Sequence, residues 1–313
     1  MSLEPSSIPS AVGTPPPPLP PGRLGVVGTG QMGSGIAWNA AAHGWRVGLA
    51  DQSLEVVRNA IDTIAARLAE RVAKGKTTEE QRRAILERLE PFESPEALAE
   101  SVPALDLIVE AVSEQITLKQ EMFRRLDAAA PANTILTSNT SSISITLLAA
   151  ATRRPAKVAG MHFMHPVPVM TLVEAIRGLQ TSDETFRVVR LAAESMGKTV
   201  VEAKDTPGFL VNRVLMPMIN EAIQALDDGV ATAEDIDRAM MLGTNQPMGP
   251  LALADFIGLD TCLAIMTVLH EGFGDSKYRP AHLLRRQVAA GWLGRKTGRG
   301  FFVYDKARPS SSR

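Results

Sequence analysis

Three glycines, Gly28, Gly30 and Gly33, stand close together between a short apolar segment, residues 24–27, and a segment that reads as the start of a helix. In such a turn the first glycine allows a tight bend, the second lets the backbone approach a pyrophosphate, and the third lets the helix pack close to the strand. The helix N-terminus then offers free N–H groups and a positive dipole end to phosphates. The pattern predicts a dinucleotide site, and the residues around the glycines belong to it: Thr29, Gln31 and Met32.

An aspartate supports this interpretation. A second apolar strand, residues 45–50, ends at Asp51, which lies 23 residues after Gly28. A carboxylate at this position can accept hydrogen bonds from both ribose hydroxyls of an adenosine, and it would repel a 2′-phosphate. The sequence therefore favours NAD over NADP as the cofactor. The alternative is that Asp51 only caps the helix that follows it.

Two further strands end in polar residues. Residues 105–111 form an apolar strand that contains Glu110 near its carboxyl end, where the ligands of doubly wound sheets bind. Residues 134–137 form the next strand, and the small polar residues 138–142 follow it directly. Their hydrogen-bonding groups and small bulk make Asn139 and Ser141 candidate ligand contacts.

Two histidines flank the end of another predicted strand, residues 157–162. Pro166 and Pro168 stop regular structure there, which fixes His165 and holds His162 near the end of its strand. Glu174 lies on the next predicted strand, residues 172–176. The sequence alone allows His162 and Glu174 to meet but does not establish that they do.

The elements that position these residues alternate between strand and helix as far as residue 204 and are helical afterwards. Strand–helix alternation is typical of a Rossmann-type doubly wound sheet. We therefore predict an α/β fold in which such a sheet is followed by an all-helical C-terminal domain. The predicted divisions are a disordered proline-rich tail (1–22), an NAD-binding domain (23–204) and a helical substrate-binding and dimerisation domain (205–313).

Within the first domain, residues 54–74 and 78–89 are predicted helices that carry several basic side chains: Arg67, Arg71, Lys74 and Lys76. They form either a solvated helical face or a surface for a phosphate-bearing ligand.

Composition excludes several classes of partner. The 313 residues carry 33 basic and 34 acidic side chains, so the charge balance suggests neither nucleic acid nor an anionic membrane as a partner. The single cysteine, Cys262, fits a reducing compartment, and no apolar run reaches the length of a membrane span. We expect a cytoplasmic protein, and no metal site.

Several separated motifs together resemble the L-3-hydroxyacyl-CoA dehydrogenase family, nearest to its short-chain bacterial 3-hydroxybutyryl-CoA members. The matching segments are residues 28–37, 138–142, 160–170 with Leu172 to Glu174, 205–213, 247–250 and 296–301. The glycine turn is shared with many dehydrogenases, whereas the segments around His162 and Asn212 are specific. The resemblance implies oxidation of a 3-hydroxyacyl-CoA with NAD, and a homodimer.

The resemblance also implies roles for individual residues. His162 is the expected catalytic base, and Glu174 is its partner, which orients the ring and stabilises the imidazolium. Ser141 and Asn212 are expected to bind the reacting oxygens of the substrate. The remaining expectations are that Glu110 and Asn139 contact the cofactor, that Lys74 lies near the CoA phosphates, and that His165 stands where the family usually has an asparagine beside the cofactor.

Two other functions remain open from the sequence. One is an NAD-dependent dehydrogenase of a free hydroxy acid or sugar acid, which would need a carboxylate-binding arginine. The other is a non-catalytic NAD-binding protein that keeps the fold.

Overall fold

The protein is described by a computed structural model over residues 21–101 and 103–304. Within these ranges eight strands form one sheet in the order β3-β2-β1-β4-β5-β6-β7-β8. The strands are β1 (Arg23–Val27), β2 (Arg46–Ala50), β3 (Leu89–Pro91), β4 (Leu107–Glu110), β5 (Ile135–Ser138), β6 (Val158–Phe163), β7 (Leu172–Arg177) and β8 (Thr199–Lys204). All neighbouring strands are parallel except β6 and β7, which are antiparallel.

Helices cover both faces of the sheet and then form a separate layer. They are α1 (Gln31–Ala42), α2 (Leu54–Ala73), α3 (Glu79–Leu86), α4 (Pro95–Ala99), α5 (Ile116–Ala129), α6 (Ile145–Ala149), α7 (Asp183–Ser195), α8 (Val211–Asp227), α9 (Ala233–Gly243), α10 (Pro250–Ile257), α11 (Leu259–Phe273) and α12 (His282–Ala289). One apolar core lies between the sheet and α1, α2 and α7, and a second lies between the sheet and α4, α5 and α6. A third core is shared by α8, α9, α10, α11 and α12.

The direction of the strand order reverses beside β1, which is where a ligand crevice is expected. The chain runs from β1 through β2 to β3 on one side, and then crosses to β4 on the other side of β1. In an open α/β sheet this reversal leaves a crevice outside the carboxyl ends of the two central strands. Those ends are Val27, followed by the glycine turn, and Glu110.

The predicted fold class is confirmed: a mostly parallel sheet covered by helices is followed by a helical region. The helix predicted over residues 54–74 is α2, which ends one residue earlier, at Ala73. The short edge strand β3 and the helix α4 were missed, and the helix predicted over 78–89 ends at Leu86. Three residues are too few to show the alternation of a strand. Of the predicted proline-rich tail, residues 1–20 lie outside the described residues.

Candidate active site

The three glycines of the turn differ in backbone conformation and in the space around them. Gly28 has a φ of +92°, and a Cβ there would lie 2.7 Å from the backbone of Ala111. A Cβ on Gly33 would lie 1.7 Å from the carbonyl oxygen of Gly28, so only glycine lets α1 approach β1 this closely. A Cβ on Gly30 would meet nothing within 4 Å, which leaves the start of α1 open to a ligand. The turn therefore fits the pyrophosphate of a dinucleotide.

A cleft of about 660 Å³ opens at this turn, at the carboxyl ends of β1, β2 and β4. Its walls include Gly28, Thr29 and Gly30 on one side and Ala111, Val112 and Ser113 on the other. Asp51 and Gln52 lie at one end. Gln31 is exposed in the first turn of α1, and Met32 beside it is half-buried.

Asp51 faces this cleft and is tied to the glycine turn. Its Oδ2 accepts hydrogen bonds from the backbone N–H of Thr29 at 2.5 Å and from Thr29 Oγ1 at 2.9 Å. Its Oδ1 accepts one from the backbone N–H of Gln52. The side chain of Ser53, not that of Asp51, caps α2. The alternative that Asp51 is merely the cap of this helix is therefore wrong.

His162 and Glu174 form a close pair. They are directly opposite each other on the antiparallel strands β6 and β7, which places both side chains on one face of the sheet. His162 Nδ1 lies 2.7 Å from Glu174 Oε2, and both residues are buried. Burial alone would raise the pKa of Glu174, but hydrogen bonds from His162 and from the backbone of Val211 outweigh it and lower the pKa.

This contact decides which nitrogen of the imidazole is free. An ionised carboxylate only accepts hydrogen bonds, so Nδ1 must carry the proton that points at Glu174. In the neutral ring Nε2 then has a lone pair and accepts. The Phe209 ring lies at 6.0 Å from the His162 ring, tilted by 56°, and covers it on one side.

Glu174 also connects the sheet to the helical region. Its second oxygen, Oε1, accepts from the backbone N–H groups of Leu210 and Val211, each at 2.9 Å, at the start of α8. The next residue of that helix is Asn212, whose Nδ2 donates to the carbonyl oxygen of Ser141 at 3.2 Å. Hydrogen bonds and the start of α8 therefore link His162, Glu174, Asn212 and Ser141, a proximity that the sequence alone allowed but did not establish.

Glu114 holds the polar loop after β5, and sequence reasoning missed it. Its Oε1 accepts from the backbone N–H and Oγ of Ser141, from Thr140 Oγ1 at 2.6 Å, and from Ser142. Burial alone would raise the pKa of Glu114. The charge of Lys119 and these hydrogen bonds outweigh burial, so the pKa is lowered. Asn139, in the same loop, accepts from the backbone N–H of Phe163 through Oδ1, which ties the ends of β5 and β6 together.

The structure corrects the placement of Glu110. Its side chain is fully buried, Oε1 accepts from Lys119 Nζ at 2.7 Å and from the backbone of Val112, and Oε2 accepts from Ser138 Oγ. All of these partners lie inside the protein, so Glu110 links the ends of β4 and β5 to α5 and does not line the cleft. Sequence reasoning also missed Lys119. It lies on the apolar side of α5, one turn before Met122 and Phe123, and a lysine in such a position indicates a buried ion pair.

Two other expected residues lie away from this cluster of hydrogen bonds. His165 is exposed in the loop after β6, and partial burial together with the positive charge of Arg67 lowers its pKa. It therefore stays neutral to a lower pH than an ordinary histidine. Lys74 is exposed at the end of α2, and its side chain makes no hydrogen bond or ion pair with the described residues.

Comparison with known proteins decides the family. Residues 23–206 match the profile of the 3-hydroxyacyl-CoA dehydrogenase NAD binding domain, and residues 208–304 match that of the 3-hydroxyacyl-CoA dehydrogenase C-terminal domain. The chain belongs to the 3-hydroxyacyl-CoA dehydrogenase family.

Members of this family from several bacteria are similar over almost their whole length. The probable 3-hydroxybutyryl-CoA dehydrogenase of Bacillus subtilis is 54% identical over 284 residues, which are 91% of this chain and 98% of that protein. The 3-hydroxybutyryl-CoA dehydrogenase of Bradyrhizobium diazoefficiens is 50% identical over 291 residues, 93% of this chain and 98% of that protein. The crystal structure of (S)-3-hydroxybutyryl-CoA dehydrogenase from Ralstonia eutropha has 49% identity and a TM-score of 0.87, and the match covers 91% of this chain and 99% of that one.

Membership of the 3-hydroxyacyl-CoA dehydrogenase family confirms the predicted enzyme class, an NAD-dependent dehydrogenase, and NAD as its cofactor. Among the residues that the structure describes, no single helix is long and apolar enough to span a membrane; α10 and α11 meet the test only together, as a pair bent by 98°. Within residues 21–101 and 103–304 no three His, Cys, Asp or Glu side chains are grouped to hold a metal ion.

Lys119 should be essential for stability. Lys119→Met leaves the Glu110 carboxylate buried without its cation, so we expect a loss of about 3–5 kcal/mol in the free energy of unfolding, measured by urea denaturation. Arg124→Met on the same helix breaks an exposed ion pair with Glu121 and should cost less than about 1 kcal/mol. Equal losses in the two variants would show that the buried ion pair contributes no more to the free energy of unfolding than the exposed one.

Proposed function

We propose that the protein oxidises short-chain L-3-hydroxyacyl-CoA, such as 3-hydroxybutyryl-CoA, to 3-ketoacyl-CoA with NAD, reversibly, with the His162–Glu174 pair as the base. The observation that supports this most directly is the 2.7 Å contact between His162 Nδ1 and Glu174, which leaves Nε2 free. Homologues named 3-hydroxybutyryl-CoA dehydrogenase support the substrate class.

In the proposed reaction NAD, held by the glycine turn and Asp51, would supply the acceptor for the hydride that leaves C3. His162 Nε2 takes the proton of the 3-hydroxyl when the alcohol is oxidised, and returns a proton to the oxygen when the ketone is reduced. Glu174 stabilises the imidazolium that forms, because its lowered pKa keeps it ionised. It also fixes the ring, since both strands and the start of α8 hold the carboxylate in place.

Ser141 and Asn212 are proposed to bind the reacting oxygens. The hydrogen bond from Asn212 Nδ2 to the backbone carbonyl of Ser141, which joins the loop after β5 to α8, supports their proximity. Both are uncharged, so they suit an alcohol and a ketone equally. The glycine turn, Asp51 and Asn139 are proposed to bind the cofactor. His165 beside the cofactor, and Lys74 near the CoA phosphates, stay proposals that rest on the resemblance alone.

The wider organisation is also proposed. Residues 23–204 would bind the cofactor, and the helical region from residue 205 would complete the substrate site and form a homodimer. The exposed apolar side chains of the helical region support the dimer: Val214, Val230, Leu242, Phe256 and Val303. Light scattering of the purified protein tests it. A cytoplasmic location is supported by the free, buried thiol of Cys262.

The proposed substrate class is tested by comparing acetoacetyl-CoA with acetoacetate. We expect NADH oxidation with acetoacetyl-CoA and almost none with the free acid, because no arginine contacts the His162 cluster among the described residues. Absorbance at the NADH band measures both. Faster turnover of the free acid would favour a hydroxy-acid dehydrogenase, and no turnover of any 3-ketoacyl-CoA would favour a non-catalytic NAD-binding protein.

Loss of the base should abolish turnover without loss of cofactor binding. His162→Gln should lower kcat by ~10² to 10⁴, because the amide cannot take the proton. NADH binding, followed by fluorescence, should stay close to that of the wild type, because the glycine turn is untouched. His282→Gln, a change of an exposed histidine at the start of α12, is the matched control. A His162→Gln variant that keeps more than half of the activity contradicts the assignment.

Asp51 should determine the choice of cofactor. Asp51→Ser removes both the ribose acceptor and the charge that repels a 2′-phosphate, so KM for NADH should rise and the preference over NADPH should narrow. Initial rates with each cofactor measure the change, and Asp62→Ser on the exposed side of α2 is the control. Equal use of NADH and NADPH by the wild type would refute the role of Asp51.

A further inference from the structure

Lys198 is a buried lysine that the proposed reaction does not use. Only 8% of its surface is exposed, and no carboxylate of the described residues lies within 4 Å of its ammonium. The other buried lysine of the described residues, Lys119, is paired with Glu110 at 2.7 Å. Burial lowers the pKa of Lys198. Placing an unpaired ammonium in the interior is costly, so its hydrogen bonds must offset that cost.

Both hydrogen bonds of Lys198 Nζ go to one loop. It donates to the carbonyl oxygen of Val167 at 2.6 Å and to that of Met170 at 2.9 Å. The backbone N–H groups of Val169 and Met170 both bond to the carbonyl of Pro166, so the loop closes on itself without using these two oxygens. Lys198 therefore satisfies two carbonyls, those of Val167 and Met170, that the loop's own hydrogen bonds do not use.

This loop, residues 164–171, joins the two catalytic strands. His162 lies near the end of β6, just before the loop, and Glu174 lies near the start of β7, just after it. Val167, at the middle of the loop, is buried against Gly35 of α1, where a Cβ would lie 3.1 Å from Val167 Cβ. The loop thus touches the helix whose N-terminus forms the dinucleotide turn.

We propose that Lys198 is a positioning residue for catalysis: by holding the carbonyls of Val167 and Met170, it sets the position of His162 relative to α1. The inference rests on the proposed function. It does not need the charge of the ammonium, because a neutral amine also donates two N–H groups. It makes Lys198 a residue that acts on the reaction through the loop and not by touching the substrate.

The test is Lys198→Ala, assayed with NADH and acetoacetyl-CoA. We expect kcat to fall about ten-fold or more, since a displacement of ~1 Å costs up to ~10² in rate, while KM for NADH stays close to the wild-type value. Propylammonium has the three carbons and the ammonium that the side chain loses in this variant, so adding it should restore kcat. Tetramethylammonium has the same charge but no N–H, and should not.

Arg154→Ala is the matched control. Arg154 also caps backbone carbonyls, those of Asp127 and Ala130 at the end of α5, but it does not contact the loop of residues 164–171. It should lower the melting temperature and leave kcat unchanged. Lys198→Met, which keeps most of the side-chain volume, provides a second variant if Lys198→Ala does not fold, and should show the same loss of kcat.

Unchanged kcat in either folded Lys198 variant overturns the proposal, and so does equal rescue by the two ammonium ions. An equal fall of kcat in Arg154→Ala also overturns it, because the effect would then be a general loss of stability. Failure of the proposed function is seen separately, as a wild-type protein that does not turn over acetoacetyl-CoA.

Discussion

The Glu174 carboxylate is the interaction on which the site depends, because its two oxygens bind different parts of the chain. Oε2 accepts from His162 on the neighbouring strand, and Oε1 accepts from two backbone N–H groups at the start of α8. No side chain of α8 caps this end, so a residue of the sheet supplies the acceptor. The helix dipole also favours a negative charge there. One charge therefore orients the imidazole of His162, the proposed base, and fixes the start of the helix that carries Asn212.

The antiparallel pair β6–β7 makes this arrangement possible in an otherwise parallel sheet. A parallel connection needs a crossover of a dozen or more residues, usually with a helix, between two neighbouring strands. The loop after β6 instead returns the chain directly, so His162 and Glu174 face each other although they are only twelve positions apart in the sequence. The same geometry couples the loop to this pair, since a change in its path would move the strand of His162 relative to the strand of Glu174.

Much of this could be predicted from the sequence, and the failures have physical causes. The apolar periodicity of α2 and the glycine turn before α1 are local signals, and they predicted both elements correctly. Glu110 was placed at the ligand edge because it ends an apolar strand. Every residue of β4 is buried, however, so no alternation of polar and apolar residues shows which way its side chain points. Glu114 holds a loop that lies more than twenty residues further along the chain, and a single sequence does not show such contacts.

The contact between Glu114 and Ser141 bears on how one site can serve an alcohol and a ketone. Ser141 Oγ donates to Glu114 Oε1, which only accepts, so the lone pairs of this hydroxyl are left for a donor such as the hydroxyl of an alcohol. To donate to a ketone, the same hydroxyl must rotate away from Glu114. The backbone N–H of Ser141 and the Oγ1 of Thr140 still bond to the carboxylate after that rotation, so the loop keeps its position while the hydroxyl changes its role. Because Glu114 holds the loop through the backbone of Ser141 and through Thr140, the Ser141 hydroxyl could serve both directions of the proposed reaction without a movement of the chain.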